Sequence, residues 1–128
     1  MTRDGVSPEP SDGKDRNIVC VGRDRELLAL RAMVLRGAGF RVIEESDTTR
    51  ALQLALDDSI DLVLLCHTLS SLEKSRIIYA LSSTRHHLPI ASVATLEHHS
   101  APAGSVAVPS DPPRLIEAIE KLFQAAKV

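Results

Sequence analysis

Residues 17–28 read NIVCVGRDRELL. The run Ile18-Val19-Cys20-Val21 lacks the polar alternation of a half-exposed strand, so it is expected in a central strand covered on both faces. Asp24 stands where a short side-chain oxygen can cap a helix, and Leu27, Leu28, Leu30, Val34 and Leu35 supply that helix with an apolar stripe. Gly37 and Gly39 end it. Arg31 lies inside the stripe and is expected to snorkel at its edge, stem on the core and head in water. A buried strand feeding an amphipathic helix is the unit of a parallel sheet with crossover helices.

The rest of the chain repeats the unit. Phe40 to Glu45 alternates apolar and polar residues, the mark of an edge strand, and Ser46 or Asp47 caps a second helix with Ala51, Leu52, Leu54, Ala55 and Leu56 on its buried side. Ile60 to Cys66 gives a third strand. A third helix spans about Ser71 to Ser83, with Leu72, Ile77, Ile78 and Leu81 apolar, and Pro89 introduces a fourth strand, Ile90 to Ala94. A loop from Glu97 to Ser105 precedes a short fifth strand, Ser105 to Val108. Asp111 caps the last helix, with Pro112 and Pro113 in its first turn and Leu115, Ile116, Ile119, Leu122, Phe123 and Ala126 as its stripe. Residues 1–16 carry three Pro/Gly breakers in the first ten positions and one isolated Val, too little apolar surface to offset ordering. They read as a disordered tail before a domain over 17–128.

Composition narrows the function. The 128 residues hold 17 Asp+Glu, 15 Lys+Arg and three aromatics, which leaves neither a basic field for a phosphate backbone nor a stacking platform for bases. Nucleic acid is therefore not expected as a ligand. No apolar run approaches the roughly 20 residues that span a bilayer, and no apolar segment follows Met1, so no membrane association and a cytoplasmic location are expected. There the two cysteines should stay reduced.

The order and spacing of NIVCVGRDRELL, RGAGFRVIEESD, DLVLLC, PIASVAT and VAVPSDPPRLIEAI resemble the receiver domain of two-component response regulators. The resemblance covers residues 17–128. It implies a flavodoxin-like (βα)5 α/β fold, a three-layer sandwich around a parallel five-stranded sheet. It also implies a role in phosphorelay signal transduction. Receivers use an acidic pair, a phosphoacceptor Asp, a Thr/Ser and a Lys, and these fall here on Gly22 and Arg23, Cys66, Ala94, and Val108. All five are changed. Asp24 and Thr95 stand one position late.

Magnesium wants hard oxygen ligands, and an acyl phosphate needs a carboxylate nucleophile with cations around the transferring oxygens. Neither set is present, so Mg²⁺ binding and phosphorylation by the family mechanism are not expected. The segment between Thr95 and Pro109 is short for a receiver and includes Pro102 and Gly104, so the helix between strands 4 and 5 is expected to be shortened or missing. The loop there, strand 5 and the adjoining edge of the last helix would then be open to a protein partner or to self-association. The resemblance also implies a cis peptide before Pro109.

Cys66 stands at the carboxyl edge of the sheet, where open α/β folds carry their sites, beside His67 and across from Arg23. Cations favour a thiolate, so a thiol-based redox or modification switch is the alternative function. The reading of Cys66 as a small buried hydrophobe stands beside it. His67 and His98-His99 near one edge, and His86-His87 at the other, lack metal-ligand spacing, and no metal is expected. Gly22 lacks the further glycines of a dinucleotide-binding turn, so no cofactor is expected. Cys66 and His67 are consecutive and cannot form a hydrolytic triad, so an enzyme is not expected.

Overall fold

The computed structural model describes residues 16–95 and 101–126. Five strands and four helices follow in order: β1 (Asn17–Val21), α1 (Arg25–Gly37), β2 (Arg41–Glu45), α2 (Thr48–Ala55), β3 (Leu62–Leu65), α3 (Ser71–Thr84), β4 (Ile90–Ala94), β5 (Val106–Pro109) and α4 (Pro112–Ala126). All strand pairs are parallel, in the order β2-β1-β3-β4-β5. The apolar runs of β1 and β3 are central and the alternating β2 is an edge, as the patterning predicts.

The period-2 pleat sends successive side chains to opposite faces. Ile18, Cys20, Leu62, Leu64, Ala91, Val93 and Val108 meet Leu28, Ala32 and Leu35 of α1 and Leu115, Ile119 and Phe123 of α4. Val19, Val21, Val63, Leu65 and Ile90 meet Ala51 and Ala55 of α2 and Ile77, Ile78 and Leu81 of α3 on the other face. The result is the expected three-layer α/β sandwich.

Several elements depart from the sequence reading. The buried stripe of α1 is Leu28, Arg31, Ala32 and Leu35, not the leucine-rich set, and Leu30 is exposed. Its phase is set by the fit of Ala32 and Leu35 beneath the sheet, and the same rotation carries Arg31 inward rather than to the edge. Leu56 and Leu72, expected inside, are exposed. The Arg16 carbonyl accepts the backbone N–H of Arg41 at 2.9 Å and its guanidinium lies over the Phe123 ring. Residues 1–15 lie outside the described residues.

The Val108–Pro109 peptide is trans, contrary to the cis bond implied by the resemblance. Strand β5 runs on through Pro109, in register with Ala94, and nothing in that extended path opposes the trans preference of an X–Pro bond.

Between β4 and β5, residues 95 and 101–105 form no helix, while residues 96–100, which include His98 and His99, lie outside the described residues. The described part of this loop turns back on the sheet. Ser105 donates its hydroxyl to the Pro102 carbonyl at 2.8 Å, and the Ser92 and Ser105 hydroxyls are 3.0 Å apart. Gly104 has φ +93°, and a Cβ there would stand 2.6 Å from Ile78 Cγ2. The described part of the loop thus rests on α3 at Gly104. Val106 at the start of β5 remains half exposed.

Candidate functional site

Parallel strands end at one edge, so the chain segments leaving β1, β3, β4 and β5 converge there. Gly22, Cys66, Ala94 and Val108 are brought to that edge by β1, β3, β4 and β5 respectively. The Cys66 N–H donates to the Val21 carbonyl at 2.8 Å, and the Gly22 N–H donates to the Glu45 carbonyl at 3.2 Å, which fixes both turns on the sheet. Gly22 packs onto Cys66. A Cβ at position 22 would lie 3.1 Å from Cys66 Cβ, 3.3 Å from its Sγ and 3.2 Å from Thr68 Oγ1. Val108 is buried in the cluster that contains Cys66, and Ala94 is half-buried at the end of β4.

Arg23 closes the mouth of this edge. Its backbone N–H donates to Thr68 Oγ1 at 3.0 Å and its guanidinium donates to the Glu73 carboxylate. Glu73 also accepts the Ser70 N–H at 2.9 Å, while Ser70 Oγ accepts the Glu73 N–H, a capping box at the start of α3. The guanidinium and then the Ser70 donors hold the Glu73 carboxyl below the usual carboxylate range. One acid therefore ties the β1–α1 turn to the cap of α3. Asp24 does not face the edge: its carboxylate accepts the Glu26 and Leu27 N–H groups at 3.1 and 3.2 Å as the cap of α1.

Cys66 is 1% exposed, with its Sγ 3.9 Å from Cys20 Sγ. The Cys20 thiol lowers the Cys66 pKa by hydrogen bonding, against its burial, with Arg31 and Lys74 adding positive charge; Cys20 is correspondingly raised. The pair shares its acidity, one sulfur releasing its proton more easily because the other keeps its own. Arg31 is 7% exposed, and its Nε and Nη1 are buried with no hydrogen-bond partner. Sequence reasoning missed Lys74 and Glu73. The capping box Ser70–Glu73 and the spacing of Lys74 with Ile77, Ile78 and Leu81 were the available signals.

His67 is half-buried next to Cys66, whereas the His86 and His87 rings are in tilted contact, centroids 4.2 Å apart, in a cleft at the opposite edge with Arg16, Asp61 and Arg85. Among the described residues, no group of three or more His, Cys, Asp or Glu could hold a metal. No helix of the described residues is long and apolar enough to cross a membrane.

No protein-family model matches the sequence, and no curated protein matches it. Solved structures do. A CheY-like response regulator receiver domain protein from Methanospirillum hungatei superposes with a TM-score of 0.72 at 20% identity, covering 88% of this chain and 97% of that one. The fold is that of a receiver domain. A putative response regulator from Chloroflexus aurantiacus gives a TM-score of 0.73 at 17% identity over 86% of this chain and 98% of its own. The receiver domain of the hybrid histidine kinase CckA gives 0.69 at 20% identity over 84% and 99%. At these identities the likeness of the receiver domains is one of fold, and function has to be argued from the edge itself.

Proposed function

We propose that this chain is a pseudo-receiver: a cytoplasmic, non-enzymatic protein-interaction module of a two-component phosphorelay that does not take up a phosphoryl group by the family mechanism. One observation carries the reading, the filled crevice. Where a receiver would need acidic metal ligands, a carboxylate nucleophile and a lysine, this edge offers Gly22 against a buried thiol, Arg23 turned to Glu73, and the buried Val108. Without hard oxygen ligands Mg²⁺ has no seat, and without a carboxylate no acyl phosphate forms. Such a domain acts by holding a protein partner in one unswitched conformation.

Incubation with acetyl phosphate and Mg²⁺, read by intact mass, tests the proposal. The expected result is no mass gain and no change in the partners crosslinked from the native host. A gain of one phosphoryl group on an aspartate would overturn it. The alternative of a thiol switch on Cys66 loses support from burial, since the residue is 1% exposed and packed against Gly22.

A further inference from the structure

We propose that Cys20 and Cys66 form a two-coordinate site for a soft monovalent metal ion, copper(I), with Arg31 as its buried counter-charge. The two sulfurs converge to 3.9 Å from adjacent strands, and both residues are at most 1% exposed. They are not placed to form a disulfide. Cys20 is in register with Leu64, so Cys66 lies two residues further along. Strand spacing and rise then put the two Cα atoms roughly 8 Å apart. That exceeds the roughly 7 Å limit for bridging without backbone movement.

A metal ion bridges what a disulfide cannot. Metal–thiolate bonds of about 2.3 Å span up to about 4.6 Å between sulfurs, reached from 3.9 Å by a small rotation of either side chain. The donor set selects the ion. Two thiols with no third ligand among the described residues fail the four-coordinate demand of zinc, and soft sulfur selects copper(I).

Charge completes the argument. Binding displaces both thiol protons to solvent and leaves two thiolates on one monovalent ion, a net charge of −1 with no change of oxidation state. Arg31 bears on both sulfurs with a charge of +1, and its Nε–H and Nη1–H are the buried donors that lack an acceptor. A copper bis-thiolate supplies a counter-charge for a cation two of whose buried N–H groups have no hydrogen-bond partner. The β1–α1 turn packs Gly22 against Cys66 and is tied down by the Arg23–Glu73 and Arg23–Thr68 contacts. The site is independent of the phosphorelay reading and does not require it.

The test is a competition between the full chain, reduced and anaerobic, and the chromogenic copper(I) chelator bicinchoninate. The wild type should withdraw one equivalent of copper, Cys20→Ala and Cys66→Ala should each lose it, and Arg31→Met should bind about 10–100-fold more weakly. Copper-edge X-ray absorption of the loaded wild type should show two sulfur neighbours and no nitrogen or oxygen. The proposal is overturned if the wild type leaves the chelate intact, if either alanine variant binds as tightly as wild type, or if Arg31→Met binds unchanged. Should a variant not fold, the absorption spectrum of the wild type decides alone, and a third light-atom ligand sinks the proposal.

Discussion

Replacing Arg31 by Met should make the metal-free protein more stable. Arg31 occupies a core position of α1, 7% exposed between Leu28 and Leu35, and two of its donors are buried without partners. Each such donor costs about 1–3 kcal/mol. Met keeps the straight stem that packs on the sheet, removes both donors and the charge, and is tolerated in irregular core space. The weak attraction of the guanidinium for the two thiols is lost and offsets part of the gain. The net expectation is about 2 kcal/mol of stabilisation, in line with buried ions replaced by apolar residues of similar volume.

For a domain of this size, that is roughly 8 °C in Tm, or an upward shift of about 1–2 M in the urea midpoint at unchanged slope. Urea unfolding of both proteins, reduced and stripped of metal by a chelator, reads it directly. A lower midpoint at unchanged slope would refute the reasoning. It would mean that the guanidinium has partners which the folded geometry does not display.

Three further outcomes follow from local geometry. Gly104→Ala should cost about 1–3 kcal/mol, because φ +93° is strained for any side chain and the new methyl would strike Ile78; thermal unfolding checks it. Asp24→Ala should cost about 1 kcal/mol through loss of the α1 cap, and hydrogen exchange should show the first turn of α1 opening more often. Because Arg23 and Ser70 depress the folded-state pKa of Glu73, its contribution to stability is fully present above the ordinary glutamate value of about 4.3 and lost as pH falls through the lowered value. The acid limb of a stability–pH curve should therefore flatten in Glu73→Gln, and an identical limb in both proteins would contradict the pairing.

The parts of the fold most legible in the sequence were those with one dominant signal. Ile18–Val21 and Leu62–Leu65 are uninterrupted apolar runs, and burial on both faces is the only environment that suits them. The phase of α1 was harder. The apolar residues from Leu27 to Leu35 surround the helix too widely to fix a face, and the true stripe contains an arginine and a small alanine that hydropathy ranks low. Lys74 was hidden by the same bias, because a cation at the first position of the α3 stripe reads as surface.

At the site, the residue types at positions 22, 66 and 108 were enough to carry the proposal that the family chemistry is absent. The packing that stands there was not legible. The Cys20–Cys66 approach depends on how far the strands are staggered, and the strap from Arg23 to Glu73 joins residues on separate βα turns. The trans bond at Pro109 and the loop resting on Ile78 both arise after β4, where the chain is rebuilt relative to the pattern it otherwise follows.

The central claim, a receiver fold whose crevice is closed to phosphoryl chemistry, is tested most directly by amide chemical shifts during titration with Mg²⁺ and beryllofluoride. Residues 20–24, 66–68, 94 and 95 ring the crevice and would report any occupant there. The account predicts that their resonances stay in place at saturating ligand. Saturable shifts at those positions would show a working phosphoryl pocket and contradict it.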